Sequence, residues 1–559
     1  MVSNPVIHVD ADVVVIGSGS AGQMAALCAR WAGADVALVD KAGIYRSGCG
    51  AGGEDHFTAV LGLAEWDTPE VFLEHSYKGT DGLCNMKAVQ NGFLRHIKWL
   101  THWLEELGVE MKIEGNKDYI RTGPFDMPAK FQINYEGKNL MPAVANEMKK
   151  AGVRFFPRTA VTDLLVKDGQ VVGVVGLEFR TGNLYVFHTK AAVICTGNIG
   201  RLFDNQSGEP YNLWNCPYNT GLGVRVAFEA GADIGNMEFI GFTIAPKNFG
   251  TPSMAAFTGM GARLVNGAGE RIMFKYHPKG ESAPRWLWCW AVYKENLEGR
   301  GPIFMDCRHL SDQDLHHLVN HLLPVDKKSY GDYLQQKGVD LRTDLLEVEV
   351  TGGEVAAGGV QPTGINVDEN FAASVPGLYA AGGCTTIPSG LPGSMCCGMT
   401  AGENAAKYAK GIRSIGEVKG AVLTDIEHRV FAPLTNRGDT ITCQQYEAKL
   451  RQIMTRYVRI GRTRAGLETA MAQLDWLEGF LPRLTASDGH ELMRCQEDFD
   501  LMAVSKLITR GAMIREESRF GLSHYRGDFP ETREEWHKSI IQTKKGDGVE
   551  ISFRPPFEL

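Results

Sequence analysis

Three glycines near the start of the chain have the spacing of a phosphate-binding turn. Gly17, Gly19 and Gly22 form a G-x-G-x-x-G pattern directly after an apolar, β-branched run. The glycines allow a tight turn and a close approach of backbone to a pyrophosphate, and the following helix offers free N–H groups to the anion. The pattern predicts a dinucleotide site, with Ser20 and Ala21 at the start of its helix.

An acidic residue follows the second predicted strand. Asp40 ends the apolar stretch 35–40, about 20 residues after the glycines, where a carboxylate suits the 2′-hydroxyl of an adenosine ribose. The segment 41–53 comes next and is rich in glycine. Such a segment cannot form a regular helix, and it suits a backbone that lies against a flat ligand.

Candidates for proton and electron transfer lie at two places. Glu54, Asp55 and His56 follow the glycine-rich segment, and a histidine titrates in the range needed for proton transfer near neutral pH. A histidine held by structural hydrogen bonds is the alternative. The adjacent Cys396 and Cys397 could be redox-active, with inert packing beside a buried helix start as the alternative.

The elements that must position these residues alternate between strand and helix. Helical spacing of apolar residues predicts helix over most of 68–107. A hairpin is predicted with its turn at Asp168 and Gly169, followed by a third strand at about 184–189. A separate buried strand is predicted from Ala191, closing on a glycine-rich turn. The sequence therefore predicts an α/β fold.

The α/β rhythm breaks between residues 240 and 350 and returns at 376–383. We therefore predict a cofactor domain in two parts, 1–239 and 351–418, interrupted by a capping domain at 240–350. Residues 419–559 are predicted to form a helical domain with an extended tail.

Composition restricts the class of protein. The 559 residues are 44% hydrophobic and 22% charged, with a net charge of −8, which predicts two to four domains and argues against a nucleic-acid or anionic-membrane surface. No run of 18 apolar residues is present, so we expect no membrane span. The twelve cysteines show no C-x-x-C spacing and no export signal precedes them. We expect reduced thiols in the cytoplasm, and no metal site or iron–sulfur cluster of the chain's own.

Motifs along nearly the whole chain resemble those of the flavoprotein subunits of succinate dehydrogenase, fumarate reductase and adenylylsulfate reductase. Within this family, segment 183–191 and the helix before Gly108 are most similar to the adenylylsulfate reductase branch. Besides the glycine fingerprint, the matching segments are Arg46 and Ser47 with their glycine-rich tail, 195–201, 230–240, 269–273, 375–382 and 517–528 with Trp536.

The resemblance implies a Rossmann-like FAD-binding domain, an inserted α+β capping domain, a C-terminal helical domain and a ferredoxin-like iron–sulfur protein as electron partner. Enzymes with covalent flavin carry a histidine where this chain has Gly48, so we expect noncovalent FAD. The first turn after Ser394 would face the pyrimidine end of the flavin. Two family acids are replaced, by Leu222 and Gly383. Besides the fingerprint and Asp40, the implied cofactor-binding residues are Lys41, Ser47, Gly48, Gly52, Gly53, Ala160, Thr196, Gly197, Gly382, Gly383, Ser394 and Met395.

The implied substrate site departs from that of the dicarboxylate enzymes. Arg285 matches the family's substrate arginine, and Glu354 stands where the family has a histidine. However, Ser389 replaces a second arginine, and a Thr-Glu pair falls on Met254 and Ala255. A C4 dicarboxylate needs two anion contacts and a proton donor, because buried carboxylates without partners cost too much free energy. We therefore expect neither succinate nor fumarate as substrate.

These residues predict hydride transfer between flavin N5 and a small organic substrate whose one anionic end is held by Arg285. Glu354 or His56 would handle the proton. Two alternatives are a protein like the adenylylsulfate reductase flavoprotein and an electron-transfer flavoprotein without a substrate. Arg285 and Glu354 could also be merely ion-paired. The tryptophans that could wall a pocket, or instead pack a core, are Trp286, Trp288 and Trp290.

Overall fold

The computed structural model describes residues 6–52, 56–112, 115–123, 129–204, 211, 213, 215–250, 254–326, 329–355, 361–416 and 418–559, without the side chains of 255, 325, 326 and 353–355. In chain order, the strands are β1 (Val6–Ile16), β2 (Val36–Val39), β3 (His56–Thr58), β4 (Ile120–Thr122), β5 (Gln132–Asn134), β6 (Arg154–Phe156), β7 (Thr159–Lys167), β8 (Gln170–Glu178), β9 (Asn183–Ile194), β10 (Ile234–Gly235), β11 (Ile240–Pro246), β12 (Arg263–Val265), β13 (Ile303–Asp306), β14 (Leu346–Val355), β15 (Gly364–Ile365), β16 (Leu378–Ala380), β17 (Ile441–Thr442), β18 (Leu484–Thr485), β19 (Ser539–Lys545) and β20 (Gly548–Arg554).

The helices surround these strands. In chain order they are α1 (Ser20–Trp31), α2 (Pro69–Gly79), α3 (Met86–Val89), α4 (Arg95–Glu106), α5 (Leu140–Ala151), α6 (Leu222–Glu229), α7 (Ala255–Gly259), α8 (Arg285–Leu297), α9 (Asp312–His317), α10 (Leu323–Asp326), α11 (Ser329–Lys337), α12 (Leu391–Gly411), α13 (Gly420–Thr435), α14 (Cys443–Tyr457), α15 (Arg464–Glu478) and α16 (Gly489–Ile514). Among the helices so described, none is long and apolar enough to cross a membrane.

The central sheet has seven strands in the order β6-β2-β1-β9-β8-β7, with β16 also paired to β9. Strands β6, β2, β1, β9 and β16 are parallel, and β8 and β7 extend the sheet in antiparallel pairs. The side chains of Val13, Val14 and Val15 are completely buried. This explains the continuous apolar run in the sequence, because a central parallel strand is covered on both faces.

Helices α1 and α12 pack backbone against backbone on this sheet. A β-carbon on Gly398 would lie 2.1 Å from the carbonyl oxygen of Ala21, and one on Gly402 would lie 2.1 Å from that of Ala25. Only glycine leaves room for this contact. The two helices therefore begin close together, at the edge of the sheet where β1 and β16 end.

The region between the two parts of the sheet forms a separate antiparallel sheet, in the order β11-β14-β13-β12, with its own apolar core. The chain leaves the central region through β10 and returns through β15, and these two strands pair with each other. The C-terminal hairpin of β19 and β20 pairs with β10 from the other side. The tail predicted as extended thus contains a hairpin, which pairs with β10, one of the two crossings to the cap.

The C-terminal helices contact the central region through buried charges. Arg201, after β9, donates to Glu447 on α14 (Nε to Oε1, 2.7 Å) and to Glu497 on α16 (2.8 Å). Lys41, after β2, donates to the same Glu497 at 2.8 Å. Burial alone would raise the pKa of Glu497, but Lys41 and Arg201 outweigh it and lower that pKa to about 2. The helical region is thereby tied to the loop that ends β2.

The structure confirms one of the local predictions made from the sequence and corrects two others. Asp168 and Gly169 have φ of 52° and 77° between β7 and β8, which confirms the predicted hairpin turn. The strands predicted at 184–189 and from Ala191 are one strand, β9, because the polar residues between them continue its pairing with β1. The helix predicted over 68–107 is interrupted after α2, where Asp81 and Gly82 have positive φ.

Replacing Gly402 with Ala should destabilise the protein, although alanine favours helix in isolation. The added methyl group would overlap the Ala25 carbonyl, and such overpacking typically costs about 1–3 kcal/mol. Gly411→Ala, at the open end of the same helix where a β-carbon meets nothing within 4 Å, is the matched control. Thermal unfolding of both variants would measure this, and equal midpoints would contradict the packing described here.

Candidate cofactor and substrate site

The turn between β1 and α1 is built from glycines that cannot be replaced without a clash. A β-carbon on Gly22 would lie 1.7 Å from the carbonyl oxygen of Gly17, and one on Gly17, whose φ is +99°, would lie 2.5 Å from that of Cys195. Gly19 precedes the first helical residue, Ser20, and has no side chain to cap the helix. The first-turn N–H groups of α1 are therefore available to an anion.

Asp40 organises the loop beside this turn. Its Oδ2 accepts the backbone N–H of Ser18 at 2.5 Å and the hydroxyl of Ser47 at 2.8 Å, and its Oδ1 accepts the N–H of Ala42 at 2.5 Å. An ionised carboxylate has about four lone-pair positions. The three bonds leave about one of these positions, and the contact of Asp40 with a ribose hydroxyl stays a prediction.

Two glycines face each other across the turn. A β-carbon on Gly48, whose φ is +70°, would lie 3.3 Å from the α-carbon of Gly19. Gly52 closes a short 3₁₀ turn, and a β-carbon there would meet nothing within 4 Å, so the space beside it is open. Gly53, predicted to contact the cofactor, lies outside the described residues.

The opposite side of this space is formed by the ends of β9 and β16. Gly382 has φ of +79°, and a β-carbon there would lie 3.0 Å from the β-carbon of Ala21 and 3.4 Å from the Ser394 hydroxyl. A β-carbon on Gly383 would lie 3.1 Å from the backbone nitrogen of Asn198. We call residues 17–22, 47–48, 196–198, 382–383 and 394 the cradle.

The other predicted cofactor residues fall into different surroundings. Thr196 follows β9, where a β-carbon on Gly223 would lie 2.3 Å from its hydroxyl, and Gly197 has φ of +74°. Ala160 is buried in β7. It follows Thr159, whose N–H donates to the Asp40 carbonyl. Met395 is fully buried, so its side chain packs in the core. The ammonium of Lys41 donates to Glu497 and to the Tyr218 carbonyl, 2.6 Å away.

The start of α12 provides a second helix N-terminus at the cradle. Gly390 precedes the helix and offers no side-chain cap. The hydroxyl of Ser394 donates to the Ser389 carbonyl at 3.0 Å. Two helix starts, close backbone approaches and open space beside glycines suit an extended dinucleotide with a flat ring system. The residues present therefore fit FAD.

In the cap, Arg285 is the first residue of α8, and its side chain is exposed. The three tryptophans that follow it in α8 contact different partners. Trp288 is 5% exposed within the core of the cap. Trp286 stacks on Phe520 and Trp290 on Tyr525, with ring centroids 5.6 Å and 5.2 Å apart. Packing between cap and C-terminal segment is therefore their main role.

The predicted proton donors lie on different sheets. His56 begins β3 and is paired with Asn134 of β5. Glu354 lies in β14, opposite Gly241, and its side chain is outside the described part of the structure. The adjacent Cys396 and Cys397 are buried in α12, where burial raises the pKa of both thiols. This environment favours the inert alternative for the two cysteines.

Sequence reasoning missed a titratable group in the cap. Glu349 of β14 is half-buried and accepts the N–H of Asn248, and burial raises its pKa to about 7. The charge of Arg459, which donates to the Val350 carbonyl at 2.7 Å, lies near it. Its segment alternates acid and apolar residues, as any half-exposed strand does, so the sequence carries no signal for this site.

Comparison with known proteins identifies the family. The model for the FAD-binding domain matches residues 12–393, and that for the fumarate reductase flavoprotein C-terminus matches residues 447–556. The chain belongs to the family of succinate dehydrogenase and fumarate reductase flavoproteins. It is an FAD-dependent oxidoreductase. The predicted family and cofactor are confirmed, and the non-catalytic alternative is set aside because the related proteins are enzymes.

The relatives differ in activity. One chain of the fumarate reductase (CoM/CoB) of Methanothermobacter marburgensis is 28% identical, over 96% of this chain and 97% of its own length. An L-aspartate oxidase of Saccharolobus solfataricus is 26% identical, over 93% and 96%. Membership in this family therefore does not determine the substrate.

Solved structures confirm the predicted fold class. Adenylylsulfate reductase from Archaeoglobus fulgidus superposes with a TM-score of 0.88 at 23% identity, over 100% of this chain and 98% of that chain. A variant of the E. coli quinol fumarate reductase superposes with 0.81 at 22% identity, over 99% and 98%. The arrangement of FAD-binding, capping and C-terminal helical domains is shared.

The stability of this flavoprotein should fall as the pH rises from about 4.5 to about 7 through the contribution of Glu349. With the folded-state pKa raised to about 7, the folded chain keeps a proton that the unfolded chain has already lost, and ionisation then opposes folding. In Glu349→Gln this contribution is absent. The thermal unfolding midpoint of the variant should therefore rise relative to that of the parent as the pH increases from 5 to 8. Thermal unfolding at four pH values would measure the difference.

The control is Glu347→Gln in the same strand, where the carboxylate is paired with Lys247 at 2.7 Å near the surface. It tests whether the loss of any carboxylate from β14 has the same effect. Midpoints of Glu349→Gln that run parallel to those of the parent over the whole range would refute the assignment.

Proposed function

We propose that this flavoprotein transfers a hydride between flavin N5 and a carbon of a small organic substrate with one anionic end, and that it exchanges electrons with an iron–sulfur protein. The observation that carries the proposal is the exposed guanidinium of Arg285 at the start of α8. Its five N–H donors match a carboxylate in a fixed fork.

The dicarboxylate enzymes have polar residues at several positions around their substrate. In this chain, three of these positions are occupied by Met254, Ala245 and Ser389. Met254 is fully buried in the core of the cap and accepts from the Tyr330 hydroxyl at 3.2 Å. Ala245 is also fully buried. Ser389 lies beside Ser394, with 3.2 Å between their hydroxyl oxygens. One strong cation at Arg285, with apolar or small residues at the positions where the dicarboxylate enzymes bind a second anion, favours a substrate with one anionic end and an apolar body.

Each residue has a distinct part in this proposal. The bound flavin supplies the hydride donor or acceptor at N5. Arg285 binds and orients the anionic end of the substrate. The N–H groups at the start of α12 stabilise negative charge on the pyrimidine side of the ring system. His56 and Glu354 remain the proposed proton donors, and Gly48 leaves the cofactor held without a covalent bond.

The electron partner is proposed to be a ferredoxin-like protein. Among the described residues, no group of three or more His, Cys, Asp or Glu is placed to hold a metal ion. The cytoplasm, where thiols are kept reduced, remains the proposed location. The proposed domain limits remain 1–239, 240–350, 351–418 and 419–559.

An adenylylsulfate reductase-like activity is the second candidate. The fold superposes on two such structures with a TM-score of 0.88, one of them in complex with sulfite as a covalent adduct. At 23% identity this likeness concerns the fold alone. Sulfite is therefore a necessary probe in any ligand screen.

Replacing Arg285 should weaken catalysis strongly. Lysine cannot reproduce the bidentate fork, and losing such a contact costs about 2–4 kcal/mol of transition-state stabilisation, roughly 30- to 1,000-fold in rate. The measurements are anaerobic reoxidation of the reduced flavin by cinnamate and by fumarate, and titration of the oxidised flavin with sulfite, each followed by flavin absorbance. We expect the aryl-substituted monocarboxylate to react best, and Arg285→Lys and Arg285→Ala to lose that reaction.

Arg308→Lys is the matched control, because Arg308 is also exposed in the cap but is paired with Asp306 at 2.9 Å. Unchanged reoxidation in Arg285→Ala would overturn the role of this residue. Reaction with fumarate as fast as with the monocarboxylate would overturn the substrate class, and a selective response to sulfite would favour the second candidate.

The purified chain should accept electrons from a reduced ferredoxin but not from a nicotinamide cofactor at enzymatic rates. The proposal assigns electron delivery to an iron–sulfur protein, so a second dinucleotide site is not required. Stopped-flow flavin reduction with each donor would compare them. Turnover with NADH or NADPH at roughly 1–10³ per second would refute this partner.

A further inference from the structure

Two cysteines, Cys49 and Cys216, are in contact beside the cradle. The Sγ of Cys49, the residue after Gly48, accepts the backbone N–H of Cys216 at 3.5 Å. Cys49 is exposed and Cys216 is half-buried, whereas the other ten cysteines are buried. The two least buried of the twelve cysteines are therefore the two that lie in contact.

The surroundings of Cys49 suit a nucleophilic thiol. Its Sγ also accepts from Nδ2 of Asn219 at 3.6 Å and donates to Oδ1 of Asn198 at 3.3 Å. The N–H groups aimed at the sulfur would favour the thiolate, which is the attacking form, whereas the bond to the Asn198 oxygen is made by the neutral thiol. The same Asn219 amide bonds Asn198 at 2.9 Å, so both side chains are held in place around the sulfur.

Cys216 is placed as the resolving thiol. Burial raises the pKa of the Cys216 thiol, which makes it the slower of the two to react with an external reagent. Its backbone nitrogen donates to the Sγ of Cys49 at 3.5 Å, so the two residues are direct neighbours.

The remaining cysteines offer no comparable pair. Cys396 and Cys397 are adjacent but fully buried in α12, and Cys443 and Cys495 interact within the helical region, where both are buried. An oxidant in solution would reach none of these directly. Selectivity for Cys49 follows from exposure.

We propose that Cys49 and Cys216 form a reversible disulfide. It would join the loop that follows Gly48 of the cradle to the turn at residues 216–219. The Cys49 thiolate attacks a low-molecular-weight disulfide such as oxidised glutathione, forming a mixed disulfide and releasing one thiolate. The Cys216 thiolate then attacks the Cys49 sulfur and releases the second. Two protein thiols are oxidised and one external disulfide is reduced to two thiols.

The bond has a consequence for the cofactor. Cys49 follows the glycine that faces Gly19, and the carbonyl of Tyr218 in the same turn holds Lys41. Joining these segments restricts the opening of the cradle, because a cross-link removes open conformations. The oxidised protein should therefore release FAD more slowly than the reduced protein, whatever the substrate is.

The FAD-loaded protein, treated with oxidised glutathione, alkylated with N-ethylmaleimide and digested, tests this by mass spectrometry. We expect a cross-linked peptide joining Cys49 to Cys216 and a loss of two alkylatable thiols. FAD release, followed by flavin fluorescence after dilution, should be slower on the order of tenfold in the oxidised protein and should return to its first rate after reduction with dithiothreitol.

Variants separate the two roles. Cys216→Ser should retain glutathione on Cys49, and Cys49→Ser should form neither the adduct nor the cross-link. Cys28→Ser, a buried cysteine of α1, is the control and should cross-link like the parent. Glutathione that stays on Cys49 of the parent without a cross-link would overturn the pair, and an unchanged rate of FAD release in the cross-linked protein would overturn its effect on the cradle.

Discussion

The backbone contact between α1 and α12 is the constraint on which the cofactor site depends. Gly398 and Gly402 bring α12 against the carbonyl oxygens of Ala21 and Ala25, a distance that any side chain would prevent. The first turns of α12 extend past the start of α1, and Gly382 lies beside both Ala21 and Ser394, so both helix N-termini face the cradle. An anionic ligand with two polar ends then meets two positive helix ends that need no movement to bind it.

The cap is held to this site by a short sheet and by the packing of α8 on the C-terminal segment. Strands β10 and β15 are the two crossings of the chain, and β19 adds its hydrogen bonds to β10. Asn236 joins the same junction, donating to the Pro362 carbonyl at 2.9 Å and accepting the N–H of Ile540 at 3.0 Å. The position of Arg285, at the start of α8, thus depends on the C-terminal segment as well as on the hairpin of β19 and β20.

Buried charges determine how the helical region meets the cofactor domain. Desolvating Glu497, Arg201 and Lys41 would be costly for each alone, and it is tolerated because every charge has a partner within hydrogen-bond distance. Asp498, next in sequence to Glu497, shows the contrary case. It is fully buried without a hydrogen-bond partner for either oxygen among the described residues, and burial raises its pKa well above the usual range.

The sequence alone determined the phosphate turn, the acid at Asp40, the buried strand β1 and the family, because each depends on local spacing and residue type. It did not reveal that Lys41 faces Glu497, that the tryptophans of α8 pack on Phe520 and Tyr525, or that Cys49 meets Cys216. Those contacts join residues far apart in the chain. Only the packing of α16, the C-terminal segment and the turn at 216–219 around the central sheet brings them together, since side-chain burial and pKa depend on neighbours that local sequence does not specify.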